Sequence, residues 1–90
     1  MMCFNLRPGD RIRVGSAVVA FLGKEAGRSR FEVDTCAGRH THMAGAACRV
    51  EITGVEASFL VEKRSGRSTR IALKAESSVA VSRLPTLVLA

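Results

Sequence analysis

Two cysteines and two histidines in the middle of the chain have side chains that could ligate a metal ion. Cys36, His40, His42 and Cys48 follow the spacing C-x3-H-x-H-x5-C. Thiolates and imidazoles are the groups that hold zinc in structural sites. The spacing matches neither a C-x2-C knuckle nor a helical H-x3-H pair. A polar loop with incidental His and Cys is therefore the favoured interpretation, and no metal is expected.

A nucleophile, a base and an acid also occur close together in this region. Cys36, His40 and Asp34 are the residue types that acyl transfer uses. However, the chain has no nucleophile-elbow, phosphate-loop or H-E-x-x-H motif, and no G-x-G-x-x-G opens a helix. We therefore expect neither enzymatic activity nor a cofactor.

The segment KRSGRSTR, residues 63–70, concentrates positive charge. It carries four cations in eight positions: Lys63, Arg64, Arg67 and Arg70. A Gly/Ser tip offers unpaired backbone N–H groups, and the flanking cations add charge, so the segment could hold a phosphate. The alternative is a solvated hairpin tip that discourages pairing between sheet edges.

The whole chain is basic. Fourteen Lys and Arg against eight Asp and Glu give a formal charge of +6 and a sequence pI near 10.3. Such an excess favours a polyanionic partner, of which nucleic acid is the commonest. The chain has no Trp or Tyr, and its four Phe lie in apolar runs, so an aromatic platform for stacking bases is not evident. Contacts to bases or phosphates would come from Arg and backbone groups.

Apolar residues alternate with period two, and no long segment has them at helical spacing. This pattern predicts one all-β domain over residues 1–90, a small barrel or sandwich of short antiparallel strands. The expected strands are Met2–Leu6, Arg11–Val14, Ala17–Leu22, Ser29–Thr35, Ala47–Thr53, Ser58–Lys63, Ser68–Lys74, Val79–Arg83 and a further candidate at Thr86–Leu89.

Turn residues predict how these strands connect. Ser65–Gly66 marks one hairpin tip, and the polar Glu76–Ser78 turn between R-I-A-L-K and V-A-V-S-R predicts a second hairpin. Residues 36–48 are expected to form a loop or a short helical turn, because Gly and Ala replace strand formers there. Basic G-R-S turns at 27–30 and 66–70 leave open a degenerate internal repeat or convergence on one turn type.

In the expected strand Ser68–Lys74, alternation places charged and apolar side chains on opposite faces. Arg70, Ala72 and Lys74 are predicted on one face, with Ile71 and Leu73 on the other.

The expected location is the cytoplasm. The N-terminal residues lack the apolar region of a signal peptide, and no apolar run is long enough to span a bilayer. Three cysteines, an odd number, fit a reducing compartment better than a disulfide framework.

Two pieces of the chain resemble the carbon storage regulator (CsrA/RsmA) family. The opening MMCFNLRPGDRIRVG follows the family's M-L-x-L-T-R-K/R-x-G-E-x-I/L-x-I-G without a gap, and AVVAFLG is similar to its third strand. TRIALKAESSVAVSR follows the closing V-R-I-G-I/V-x-A-P-x-x-V-x-V-H-R. The departures are Leu6 in place of a contacting arginine, Glu76 in place of proline, Leu84-Pro85 in place of the acidic pair and helix that normally follow, and about thirty extra residues between the two pieces.

The resemblance implies a small dimeric β-protein that binds messenger RNA leaders and controls translation. Within that family the closing arginine is the chief RNA contact, which falls on Arg83. The expected RNA-contacting residues are Arg7, Lys63, Arg64, Arg67, Arg70 and Arg83.

Two other functions stay open at this point. The chain could be a protein-interaction module or inhibitor whose basic surface meets an acidic protein, or a metal-stabilised small β-domain. The sequence also leaves open whether the chain is a monomer or a homodimer.

Overall fold

The computed structural model describes residues 1–62 and 66–86, and in these ranges the chain is built from β-strands with no helix. The strands are β1 (Met2–Leu6), β2 (Arg11–Val14), β3 (Ala17–Glu25), β4 (Arg28–Thr35), β5 (Gly38–Ala44), β6 (Arg49–Ile52), β7 (Ala57–Glu62), β8 (Thr69–Ala75) and β9 (Val81–Leu84). The prediction of an all-β chain is confirmed. Accordingly, no helix that could cross a membrane is found in the described ranges.

The strands form two open antiparallel sheets. One sheet has four strands in the order β1-β8-β7-β6, and the other has five in the order β5-β4-β3-β2-β9. Neither sheet closes into a barrel. Of the two predicted architectures, the molecule therefore has the sandwich.

Three phenylalanines join the inner faces of the two sheets. Phe21 and Phe31 lie on neighbouring strands of the five-stranded sheet with ring centroids 5.5 Å apart. Phe31 meets Phe59 of the four-stranded sheet at 4.9 Å in an edge-to-face contact. All three side chains are fully buried. Aromatic burial at the centre therefore holds the sheets together, as expected for alternating strands that each hide one face.

Strand β8 confirms the predicted division between charge and core. Ile71 and Leu73 are fully buried in the sandwich, whereas Arg70 is half-buried and Lys74 is exposed on the outer face. Ala72 lies on that outer face as well, but its small side chain is covered. The cationic face of this strand is therefore the outer face of the four-stranded sheet.

The prediction of a loop or helical turn in residues 36–48 was wrong for most of that segment. Gly38–Ala44 forms the seven-residue strand β5, which pairs with β4 from Thr35↔Gly38 to Ser29↔Ala44 without a bulge. The pattern G-R-H-T-H-M-A is weak in strand formers, but strand propensity depends strongly on the neighbouring strand. A complete backbone ladder with β4 compensates for the weak local signal.

The predicted hairpin around Glu76–Ser78 was also wrong. β8 pairs with β1 on one side and β7 on the other, so neither of its edges is free for β9. The chain instead passes to the other sheet, where β9 pairs with β2 in the register Ile12↔Arg83. The connection is a crossover between sheets.

The other predicted hairpin has the expected partners. β7 and β8 pair as antiparallel neighbours, although part of their connection, including Ser65, lies outside the described residues. Of the last candidate strand, Thr86 lies in no strand and residues 87–90 fall outside the described residues.

Candidate nucleic-acid interface

Arg7 and Arg67, two of the predicted contact residues, line the same cleft. The cleft has a volume of about 470 Å³, and Pro8 and Ser68 complete its described lining. Its position follows from strand register, because Leu6 at the end of β1 pairs with Thr69 at the start of β8. The chain therefore leaves β1 through Arg7 at the place where it enters β8 through Ser68.

A tight turn fixes the backbone that carries Arg7. The Asp10 amide donates to the Arg7 carbonyl at 2.9 Å, and the Asp10 carboxylate accepts from the Arg7 amide, also at 2.9 Å. Pro8 and Gly9 occupy the two central positions, and Gly9 has a φ of 95°. Such a turn needs a fixed negative φ followed by a positive one, which Pro and Gly supply. The side chain of Arg7 thus starts from a well-ordered base.

A buried hydrogen bond between the sheets anchors the other side of the cleft. The Ser29 hydroxyl donates to Thr69 Oγ1 at 3.1 Å, and both side chains are buried. Ser29 lies near the start of β4, just after the β3–β4 turn. The bond therefore ties the segment that follows Arg67 to the hairpin of the opposite sheet.

The loops at the two ends of the sandwich differ in charge. The antiparallel registers place the described connecting residues 7–10, 26–27, 45–48 and 66–68 at one end, which we term the basic end. The opposite end holds connections 15–16, 36–37, 53–56 and 76–80, whose charged residues are Glu56 and Glu76. Arg7 and Arg67 belong to the basic end, and neither side chain forms a hydrogen bond or ion pair with another described residue. The described loops of the basic end thus carry net positive charge, whereas those of the opposite end carry net negative charge.

Lys63 and Arg64 lie outside the described residues. They belong by sequence to the β7–β8 connection, the same connection that contributes Arg67 to the cleft.

Arg70 is partly neutralised by its neighbours. Its Nε lies 3.5 Å from Glu62 Oε1, close enough for an ion pair, but this nitrogen makes no hydrogen bond with any described residue. A hydrogen bond and charge interaction with Cys3, followed by the charge of Glu62, raises the pKa of Arg70 above its ordinary value. Arg70 therefore stays cationic, but its positive charge is partly offset by Glu62 on the neighbouring strand.

Arg83 lies at the edge between the two sheets rather than pointing away from them. Its Nη2 donates to the Asn5 carbonyl at 3.2 Å, and its guanidinium carbon lies 5.4 Å from the centre of the Phe4 ring. β9 and β1, which carry these residues, are edge strands of different sheets. Arg83 thus links the sheets, although its side chain remains exposed.

Two other arginines are held by groups of the fold. Arg39 forms ion pairs with Glu32 at 3.4 Å and with Asp34 at 3.3 Å. Arg11 donates to the Pro85 carbonyl from Nε at 3.1 Å and from Nη2 at 2.9 Å. These cations support the outer face of the five-stranded sheet, so the net charge overstates the number of arginines available to a ligand.

The four Cys and His residues singled out from the sequence are not brought together. Cys36 precedes β5 and Cys48 follows it, so a seven-residue strand, roughly 23 Å long, separates the two thiols along the chain. His40 and His42 lie between them on one face of β5. Within the described ranges, no group of three or more Cys, His, Asp or Glu side chains could hold a metal ion, and all three cysteines are free and exposed.

The sequence identified the two arginines of the cleft but not their proximity. It missed Pro8 and Ser68 as lining residues, and their only signal was adjacency to Arg7 and Arg67. Because the cleft depends on pairing between β1 and β8, no local pattern could have located it.

Comparisons with known proteins yield no relative. No family model, no curated protein and no solved structure matches the chain.

Proposed function

We propose that the protein is a nucleic-acid-binding protein without catalytic activity, and that it binds RNA through the basic end. The observation that carries this proposal is the cleft between Arg7 and Arg67. Two arginines from distant parts of the chain line one opening of about 470 Å³, with neither engaged by another described side chain.

The chemistry of this cleft suits a phosphate group. A guanidinium donates several hydrogen bonds in a planar fork, a geometry that matches phosphate oxygens. The Ser68 hydroxyl adds a further possible donor. Two like charges that face one cleft repel each other, and an anion between them relieves that repulsion. A bound phosphate is therefore favoured twice: it attracts both arginines, and it reduces the repulsion between them.

The arrangement of the strands supports a more specific role in translational regulation, as in the carbon storage regulator family. The two segments that resemble this family, residues 1–23 and 69–83, are distant in sequence. In the fold β1 pairs with β8, and β2 pairs with β9. The two segments therefore form adjoining parts of both sheets, as parts of one ancestral unit would. We propose that the protein acts on messenger RNA in the cytoplasm, a reducing compartment in which free cysteines persist.

Binding to RNA at several salt concentrations tests this proposal. The probes are an RNA hairpin with GGA in its loop, the type of site that the carbon storage regulator family recognises, and the same hairpin with a scrambled loop. The proteins are the wild type, Arg7→Gln, Arg67→Gln and the control Arg13→Gln. Arg13 is exposed on the outer face of β2 and has no described partner, so its substitution removes the same charge away from the cleft.

We expect each cleft substitution to weaken binding and to reduce the slope of log K against log salt by about 1, the loss of one phosphate contact. Arg13→Gln should leave the slope unchanged. Equal losses in all three variants would mean that binding follows net charge alone and would reject the cleft. A preference for the GGA loop would support the regulatory role, whereas equal affinity for both hairpins would leave only general RNA binding.

A further inference from the structure

A second cleft lies on the outer face of the four-stranded sheet, towards the end of the sandwich opposite the basic end. Its volume is about 320 Å³, which is in the range of small-molecule sites. Two cationic and three anionic side chains surround it, and we term it the mixed-charge cleft: Arg49, Lys74, Glu51, Glu56 and Glu76. None of the described residues that line it lines the cleft of Arg7 and Arg67.

A small, buried side chain forms the floor of the mixed-charge cleft. Ser58 of β7 pairs with Lys74 of β8 on one side and with Glu51 of β6 on the other, so the three side chains form one row on the outer face. Neighbouring strands are about 4.8 Å apart, which separates the backbones of Lys74 and Glu51 by roughly 10 Å. The row therefore has a cation on one wall, a carboxylate on the other and only a short hydroxyl side chain between them.

Hydrogen bonds of the fold position three of the other groups. Arg49 Nη1 donates to Ser58 Oγ at 3.0 Å, so the guanidinium lies over the floor of the cleft. Its other N–H groups bind no described residue. The Glu76 amide donates to the Glu56 carbonyl at 3.1 Å, which brings these two acidic residues together where the loops close the cleft. Cations thus lie over the sheet, and two carboxylates lie at its loop end.

The charged groups of this cleft do not neutralise one another. Within the described ranges, the side chains of Lys74, Glu51, Glu56 and Glu76 form no ion pair or hydrogen bond. A ligand that carries both signs of charge would interact with both kinds of wall, and a cation beside Glu56 and Glu76 would reduce their mutual repulsion. Two cations and three carboxylates give the cleft a net charge of −1, which a ligand of charge +1 balances.

We propose that the mixed-charge cleft binds a free basic α-amino acid, the class of lysine and arginine. Arg49 and Lys74 bind its α-carboxylate, and Glu51 binds its α-ammonium group. Its side-chain cation extends to Glu56 and Glu76. Such a ligand carries two cations and one carboxylate at neutral pH, so its net charge is +1. The inference does not depend on the binding of RNA, which is proposed for the opposite end of the sandwich.

Isothermal titration calorimetry of the wild type at one ionic strength tests the class of ligand. The probes are L-lysine, L-arginine, cadaverine, which has both ammonium groups of lysine but no carboxylate, and L-norleucine, which has no side-chain cation. We expect L-lysine and L-arginine to bind with one-to-one stoichiometry. Cadaverine and norleucine should bind at least about tenfold more weakly, because each lacks a charged contact. Absence of binding by both basic amino acids would overturn the inference, as would equal affinity for cadaverine or norleucine.

Substitutions in the cleft test where the amino acid binds. Lys74→Gln and Glu76→Gln each remove one charge from an exposed side chain of the cleft, and each should weaken the binding of L-lysine by about tenfold. The matched controls Arg13→Gln and Glu25→Gln remove the same charges from exposed positions outside the cleft and should bind as the wild type does. A wild-type Tm in each variant shows that the fold is intact. Equal losses in cleft variants and controls, or unchanged affinity in both cleft variants, would reject this site.

Discussion

The guanidinium of Arg83 donates a hydrogen bond to the backbone oxygen of Asn5 at 3.2 Å, which joins the edge strands of two different sheets. The same guanidinium contacts the Phe4 ring. Arg83 therefore has a structural role in addition to the RNA contact expected from its sequence position. Any experiment that removes it must separate the two effects.

We predict that Arg83→Ala lowers the free energy of unfolding by about 1 to 2 kcal/mol, the sum of one hydrogen bond and one cation–π contact. Arg13→Ala on the outer face of neighbouring β2 should change it by less than about 0.5 kcal/mol, as exposed positions usually do. Urea unfolding of both variants measures the difference. Equal stability of the wild type and Arg83→Ala would show that the contact with β1 contributes nothing.

The buried hydrogen bond between Ser29 and Thr69 leads to a second prediction. Thr69→Val keeps the shape of the side chain but leaves the Ser29 hydroxyl buried without its partner, at a cost of about 1 to 3 kcal/mol in unfolding free energy. Ser29→Ala combined with Thr69→Val should cost less than Thr69→Val alone, because both polar groups are then removed. A double-mutant cycle by urea unfolding checks this. Strictly additive effects would contradict a direct interaction.

The β3–β4 turn contains a residue that is poorly suited to its backbone. Ala26 and Gly27 have φ values of 51° and 77°, and the flanking Glu25 and Arg28 pair directly. A two-residue turn with two positive φ angles favours Asn-Gly, because Asn tolerates the left-handed region better than Ala. Ala26→Asn should therefore raise the free energy of unfolding by about 0.5 to 1 kcal/mol.

Ala37→Asn is the matched control for this turn. Ala37 is also an exposed turn residue, but its φ is not positive. Its substitution should leave thermal and urea stability close to that of the wild type. An equal gain at both positions would mean that asparagine acts through something other than the backbone angle at position 26.

The separation of Cys36 and Cys48 by β5 predicts that the fold does not require zinc. A chelator should leave the Tm of the purified protein unchanged, and Cys36→Ser should unfold at the wild-type temperature. Structural zinc supplies much of the folding free energy of the domains that use it, so its removal there is readily detected. A chelator-induced fall in Tm of several degrees would restore the metal-stabilised alternative.

Much of the fold could be predicted because alternation is a local signal. In β8 the period of two placed Ile71 and Leu73 in the core and Lys74 outside, as the structure does. β5 escaped detection because its sequence lacks apolar alternation, and its strand conformation depends on the ladder with β4. Local patterns describe which face a strand buries, but they do not reveal a strand whose main support is its neighbour.

Proximity across the fold could not be predicted from the sequence. The family resemblance identified Arg7 and the basic Gly/Ser segment identified Arg67, but their shared cleft depends on the pairing Leu6↔Thr69. The partners of Arg83 were hidden for the same reason, because Asn5 and Arg83 belong to strands of different sheets. The net positive charge of the sequence suggested a polyanionic partner. Where that charge lies on the surface could be known only from the order and pairing of the strands.

The pairing of β1 with β8 has a consequence for the timing of folding during synthesis. Met2 pairs with Leu73, and β1 has no other strand partner among the described residues. A ribosome must therefore translate most of this sequence before β1 can enter a sheet, while the β3–β4 hairpin can form much earlier. Such distant pairings slow folding, since a long chain segment has to be closed before they contribute stability. Until then the nascent chain exposes the apolar side chains of β1. We expect a chaperone to bind the nascent chain during this interval.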